Sequence, residues 1–245
     1  MQNQIFGIRA VMEAIEAGNT IDKILISKNL SGDLYKELME KVREYGIVTQ
    51  RVPVERLNRI TMKNHQGVIA MMSPIDYAKL EYVVPQLYEE GRVPLLLLLD
   101  GLTDTRNFGA IARTAECAGV DAIIIPERGS VSATPEAVKT SAGALFYIPV
   151  CRVKNSVEAA RYLKEAGVKL VGASEKGAMD YTKADFSVPA CIVMGAEDTG
   201  ISNEVLLLCD ELAAIPISGK IGSLNVSVAA GVMIYEAIRQ RNLAD

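Results

Sequence analysis

The amino-acid sequence predicts an α/β protein in two parts, a small N-terminal α/β unit followed by a larger domain built on a parallel sheet. Three observations carry this. Short apolar runs without polar alternation, such as Leu95 to Leu99, recur through the C-terminal half, as in strands covered on both faces. Segments of helical period separate those runs, the alternation that a parallel sheet sandwiched by helices requires. A stretch opened by Ser73-Pro74 and passing through Gly91, Arg92 and Pro94 has no sustained period and divides the chain.

In the first part, Ile8, Val11, Met12 and Ile15 recur at helical spacing and Gly18 follows as a stop. Ile21 to Ile26 alternates as a strand, Leu34 to Val42 returns to helical period, and Gly46 precedes a strand from Ile47 to Arg51. A short helix and a last strand from Gln66 to Met72 complete a unit taken to span 1–73. Residues 74–92 are expected to be a linker, with at most a helical turn at Val83 to Tyr88. The second part, 93–245, opens with a strand from Leu95 to Asp100 and a helix from about Asn107 to Ala118. A strand Ala122 to Ile125, a helix Pro135 to Ser141, a strand Phe146 to Cys151 and a helix Val157 to Ala166 follow. Strands Lys169 to Ala173 and Ala190 to Met194, a helix Asn203 to Cys209, a strand Leu212 to Ile215 and a helix Val226 to Arg239 end the domain. Ligands of such sheets bind beyond the carboxyl ends of the strands.

Composition narrows the classes. At 245 residues and 49% hydrophobic content the chain can bury a sizeable core. Leu95 to Leu99 is far shorter than the roughly 20 apolar residues that cross a bilayer, so no membrane span is expected. Met1-Gln2-Asn3-Gln4 has neither the basic start nor the apolar stretch of a secretory signal, and the expected compartment is cytoplasmic. Cys117, Cys151, Cys191 and Cys209 form no C-x-x-C pair and His65 is the single histidine, so neither a metal site nor a disulfide framework is expected. The cysteines read as small buried hydrophobes. A net charge of −4 argues against binding nucleic acid through a whole-surface positive field. Lys41, Arg43, Arg51, Arg56, Arg59 and Lys63 nevertheless crowd one stretch in which only Glu44 and Glu55 intervene, either a local patch or a solvated face.

Three strand ends carry the polar and glycine-rich segments where chemistry belongs. After Asp100 comes Gly101 to Arg113, with Asn107 in the first turn of a helix, where free backbone N–H groups favour anions. Asn107 is otherwise an ordinary cap and Arg113 a surface ion-pair former; six residues apart, they do not share a clean helical face. The second segment, Met194-Gly195-Ala196-Glu197-Asp198-Thr199-Gly200-Ile201, follows a buried strand directly. Gly195 would let a ligand approach the main chain and Glu197 could bind a hydroxyl or orient a partner, although a plain turn also uses two glycines and an acid. In the third, Ile215 to Val228, Ser223 and Asn225 precede an apolar helix and are good capping types. Neither G-x-x-x-x-G-K-[ST] nor G-x-G-x-x-G occurs, which sets aside P-loop ATPases and dinucleotide enzymes.

At Asn107-Phe-Gly-Ala-Ile-Ala-Arg113, Met194-Gly-Ala-Glu-Asp-Thr-Gly-Ile201 and Ser223-Leu-Asn-Val-Ser-Val-Ala229 the sequence resembles the SpoU family of RNA ribose methyltransferases, within the SPOUT superfamily. Ile5-Phe-Gly-Ile-Arg-Ala-Val11 and His65-Gln-Gly-Val68 look like that family's substrate-binding domain of L30e type. The resemblance implies a C-terminal domain tied in a deep trefoil knot, an exception to the rule against threaded chains. It implies transfer of a methyl group from S-adenosyl-L-methionine to a ribose 2'-hydroxyl of RNA, not DNA, with a guanosine of 23S rRNA favoured. By it Asn107, Arg113, Glu197, Ser223 and Asn225 form the active site, Gly195, Ile215 and Leu224 contact the cofactor, and the enzyme is a homodimer paired near its C-terminal helix. A tRNA substrate, or a non-catalytic RNA-binding or ribosome-assembly protein that keeps the fold, are the competing readings.

Overall fold

In a computed structural model, residues 4–175, 177 and 179–244 are described. They divide into two compact units, Met1–Asp76 and Tyr77–Asp245.

The N-terminal unit runs β1 (Gln4–Phe6), α1 (Ile8–Glu16), β2 (Ile21–Ser27), α2 (Asp33–Glu44), β3 (Thr49–Val52), α3 (Val54–Ile60) and β4 (Val68–Met72). Its sheet has the order β1-β4-β2-β3, with β4 antiparallel to both neighbours and β3 parallel to β2. Strand alternation sorts two cores. Ile24, Ile26, Val68 and Ala70 pack with Ile8, Val11 and Ile15 of α1 and Leu38 and Val42 of α2. Leu25 and Ile69 point to the other face, where Leu57 of α3 covers them together with Val52. Each such side chain contributes about 1.5–3 kcal/mol of burial, so α2 and α3 are driven to opposite faces.

That division splits the basic stretch read from the sequence. Lys41 and Arg43 lie on α2, Arg51 stacks on Tyr35 of α2, and Arg56, Arg59 and Lys63 belong to α3 and the loop after it. The six cations do not form one patch, because a buried sheet passes between sequence neighbours.

The C-terminal unit begins earlier than expected. The segment read as a linker contains α4 (Leu80–Glu89), and Leu80, Val84 and Leu87 are buried in the unit's main core. The i, i+4, i+7 spacing was present; the interior Pro85 hid it, and the structure tolerates that proline on the exposed side. Then follow β5 (Leu95–Asp100), α5 (Thr105–Cys117), β6 (Ala122–Pro126), α6 (Pro135–Thr140), β7 (Val150–Val153), α7 (Ser156–Glu165), β8 (Lys169–Ala173), β9 (Met179–Asp180), β10 (Ala190–Gly195), α8 (Asn203–Leu206), β11 (Glu211–Ala214) and α9 (Val226–Ala244). The strand expected at Phe146 to Cys151 starts only at Val150. A 3-10 turn, Ala144–Phe146, precedes it and leaves Phe146 and Tyr147 exposed.

The seven strands are parallel in the order β7-β6-β5-β10-β8-β11-β9. From β5 the chain fills one side through β6 and β7, then crosses to the other. The switch point therefore lies between β5 and β10, whose register sets Asp100 opposite Gly195.

Cys151 and Cys191 are buried and Cys209 is half-buried; burial pushes the Cys151 thiol up to about 12 and Cys209 to about 11. Cys117 departs from the expectation, being exposed in the last turn of α5. No helix among the described residues is long and apolar enough to cross a membrane.

Candidate active site

The segments after β5 and β10 leave the sheet side by side, so their contact is set by strand register. Asp100, buried at the end of β5, accepts a hydrogen bond of 2.8 Å from the backbone N–H of Ser202 and ties the β10 segment to the β5 end. Sequence reading missed this residue as a contributor; a lone acid closing a leucine run was the available signal.

Helix α5 is capped by Asp104, whose Oδ1 accepts from the backbone N–H groups of Arg106 and Asn107, both at 2.8 Å. The cap is thus Asp104 and not Asn107, which frees the Asn107 amide. Gly109 is required two residues later: a Cβ there would lie 2.6 Å from Thr140 Cβ and 2.8 Å from the Ala137 carbonyl oxygen, so α5 and α6 touch through their backbones.

After β10 the chain makes a tight turn in which Ala196 and Gly200 exchange backbone hydrogen bonds of 2.9 and 3.1 Å. A Cβ on Gly195 would stand 2.0 Å from the Gly200 carbonyl carbon and 2.1 Å from the Ile201 nitrogen. The approach that demands glycine is made by the chain itself.

Beyond β11 the chain passes the half-buried Ile215 and runs exposed through 216–225 until Asn225 caps α9. Asn225 Oδ1 accepts from the Ser227 backbone N–H at 2.9 Å and from its hydroxyl at 2.6 Å. The opposite side of the same amide works elsewhere: Nδ2 donates to Asn107 Oδ1 at 3.1 Å and to Glu197 Oε1 at 3.4 Å. Asn107 Nδ2 donates to Glu197 Oε2 at 3.2 Å. One carboxylate and two amides close a triangle across separations of 90, 28 and 118 residues. Each group orients the next, since an amide that accepts through oxygen must donate through nitrogen.

Beside the triangle lies a pocket of about 430 Å³ whose lining includes Gly195, Glu197, Ile215, Ser223 and Leu224. Met194, Leu206 and Ala213 give it an apolar floor, and Glu175 and Asp198 add carboxylates; among the described residues no lysine or arginine lines it. Its size falls within the roughly 300–1,000 Å³ of small-molecule sites. Seven of the eight residues singled out from the sequence therefore lie in the triangle or the pocket wall. Arg113 does not. It is exposed on α5 and its side chain makes no hydrogen bond or ion pair with a described residue. His65, in the N-terminal unit, is buried with Nε2 2.8 Å from Asn58 Oδ1 and Nδ1 accepting from the Gly67 backbone N–H at 2.9 Å, so both ring nitrogens are engaged.

Comparison with known proteins follows the same division. Residues 94–235 match the model of the SpoU rRNA methylase family, and residues 4–78 match that of the RNA 2'-O ribose methyltransferase substrate-binding domain. A Staphylococcus saprophyticus protein assigned to the TrmH family of tRNA/rRNA methyltransferases is 40% identical over 97% of this chain and 96% of its own. The SpoU methyltransferase AviRb from Streptomyces viridochromogenes, solved in complex with AdoMet, is similar over 98% of this chain and 90% of its own, with a TM-score of 0.62 and 29% identity. The AdoMet-bound rRNA methyltransferase from Sinorhizobium meliloti is similar over 96% of this chain and 86% of its own, with a TM-score of 0.62 and 28% identity. With its three polar segments joined at the switch point of a seven-stranded parallel sheet, the chain belongs to the SpoU family of RNA methyltransferases.

Proposed function

We propose that the chain moves a methyl group from S-adenosyl-L-methionine to a ribose 2'-hydroxyl of RNA, with a guanosine of 23S rRNA the favoured target. The observation that carries this is the Asn107–Glu197–Asn225 triangle, through which three distant segments meet at the rim of one pocket. The methyl donor supplies an already activated methyl on a cationic sulfonium. A wall with Glu175, Glu197 and Asp198 and no described lysine or arginine suits a cation, and the apolar floor suits the rest of the molecule. Gly195, Ile215 and Leu224 contact it largely through backbone groups.

In-line attack by a sugar oxygen needs alignment above all, and alignment can lower a barrier by about 7–11 kcal/mol. Asn107, Ser223 and Asn225 hold ribose and main chain in register, while Glu197 fixes both amides. The hydroxyl must also lose or share its proton. With His65 occupied, the group assigned to polarise or deprotonate that hydroxyl is Arg113, exposed and with no side-chain partner among the described residues, acting with an RNA phosphate. An arginine by itself stays protonated. Arg113→Ala and Arg113→Lys are each expected to slow single-turnover methylation with cofactor binding intact, and normal rates in both would remove Arg113 from the mechanism.

The same assignment makes the C-terminal unit a deep trefoil knot and the N-terminal unit an L30e-type domain. It also makes the protein a two-fold homodimer paired at α9, which carries the exposed apolar Val228, Tyr235 and Leu243. A substrate in ribosomal RNA is supported by similarity to an rRNA methyltransferase over nearly the whole chain.

The deciding experiment offers unmodified rRNA and tRNA with labelled cofactor and maps stops by primer extension. Incorporation into rRNA at one guanosine is expected. Incorporation into tRNA alone would move the substrate, and cofactor binding without transfer to either RNA would favour a non-catalytic binding protein.

A further inference from the structure

We infer that RNA phosphates dock on the α3 face of the N-terminal sheet, through Arg56, Arg59 and Lys63, and not on the α1/α2 face. This rests on RNA being the substrate, and narrows contact with it to one of the two surfaces of this unit. Alternation along β2 and β4 separates those surfaces, and their cations are treated differently.

On the α1/α2 side three cations are engaged within the chain, while the Arg9 and Arg43 side chains have no hydrogen bond or ion pair with a described residue and stand among acids. Lys41 is paired with Glu16, Lys36 lies 3.1 Å from Asp33, and Arg51 stacks 4.8 Å from the Tyr35 ring centre while donating to the Lys28 carbonyl at 2.9 Å. Helices α1 and α2 also carry Glu13, Glu37, Glu40 and Glu44, which would repel a phosphate backbone. A phosphate approaching Lys36, Lys41 or Arg51 has to break an existing contact, and one approaching Arg9 or Arg43 meets the row of acids.

The α3 side is the reverse. The side chains of Arg56 and Arg59, one turn apart and exposed, make no hydrogen bond or ion pair with a described residue, and Glu55 is the single acid on the helix. The ammonium of the exposed Lys63 lies 5.4 Å from the Phe6 ring centre, a contact that leaves its N–H groups without a hydrogen-bond or carboxylate partner among the described residues. These three are mounted on a fixed frame. The buried His65 joins Asn58 of α3 to the Gly67 backbone, and Gln66, held at φ +50°, accepts from the Ile8 N–H at 3.2 Å, so the loop carrying Lys63 is pinned to the helix carrying the arginines. Pinning reduces the ordering cost when the cations meet a ligand. In a protein of net charge −4, attraction to RNA has to come from such a local cluster. Guanidinium forks one turn apart suit successive phosphates.

The test titrates the full-length protein against a fluorescein-labelled stem-loop RNA by anisotropy, over a series of salt concentrations. An Arg56→Gln, Arg59→Gln, Lys63→Gln variant is expected to bind about tenfold more weakly or worse and to lose about two units of the log–log salt slope, at about 0.7 per phosphate released from a single strand. Its melting temperature and affinity for S-adenosylmethionine should stay at the wild-type values. A Lys36→Gln, Lys41→Gln, Arg43→Gln variant of the α2 side should keep both RNA affinity and slope. An unchanged slope in the first variant, or an equal loss in the second, overturns the docking face while RNA as substrate stands. Failure of the wild-type protein to bind this RNA or rRNA overturns both.

Discussion

The pocket is walled by two segments built on opposite principles. The turn at 195–201 is held by its own backbone: Gly195 has no room for a methyl group, Ala196 and Gly200 bond to each other, Ile201 is buried, and Asp100 anchors Ser202. The segment at 215–225 has almost none of this. Ile217, Ile221 and Leu224 are exposed, and a Cβ on Gly219 or Gly222 would meet nothing within 4 Å. Its C-terminal anchor is Asn225. One wall is thus fixed before a ligand arrives, whereas the other hangs from a single amide, which suits a segment that has to shape itself around a bound molecule.

The contrast can be broken most sharply at Gly195. Gly195→Ala should abolish cofactor binding in calorimetry and cost about 3 kcal/mol or more of stability in denaturant titration, because the overlap is with backbone and not with a movable side chain. Gly222→Ala, in the open segment, should leave cofactor affinity within a few-fold; equal damage at both positions would end the distinction between the walls.

Smaller in stability but large in rate is Glu197→Ala. It releases both amides, and a displacement of about 1 Å costs on the order of 100-fold in activity. The loss should appear in kcat/KM with melting nearly unchanged, since the carboxylate is exposed.

Asn225 separates the two roles of one side chain. Asn225→Ala removes the cap and should lose about 1 kcal/mol, a fall in Tm of about 2–4 °C for a chain of this size. Asn225→Asp retains a capping oxygen but replaces the donor toward Asn107 with a negative charge beside Glu197. Its melting should stay near wild type while methylation falls as in the alanine variant. Recovery of activity in the aspartate variant would make Asn225 a cap and nothing more.

The smallest effect is expected for Ser223→Ala. Ser223 lines the pocket but is exposed, so stability should change by less than about 0.5 kcal/mol. Any loss of activity then reports contact with substrate alone.

The positions of β5, β8 and β10 were legible in the sequence because unbroken apolar runs have few other folded uses, and the three polar segments were legible as motifs. The interior Pro85 concealed α4, whose apolar spacing acquires meaning only when a sheet lies beneath it. Arg113 shares one motif with Asn107, but of the two only Asn107 is hydrogen-bonded to Glu197 and Asn225 among the described residues.

By itself the sequence determined most of the stretches that become strands and helices, α4 being an exception, and which residues are chemically able to serve, since these depend on local periodicity and side-chain type. Tertiary structure alone decided which of them meet. Strand order set Asp100 beside Gly195, brought the Asn225 amide to Asn107, and put α2 and α3 on opposite sides of a sheet despite their closeness in sequence. Proximity of that kind follows from how buried faces are satisfied across the whole fold, and no local pattern encodes it.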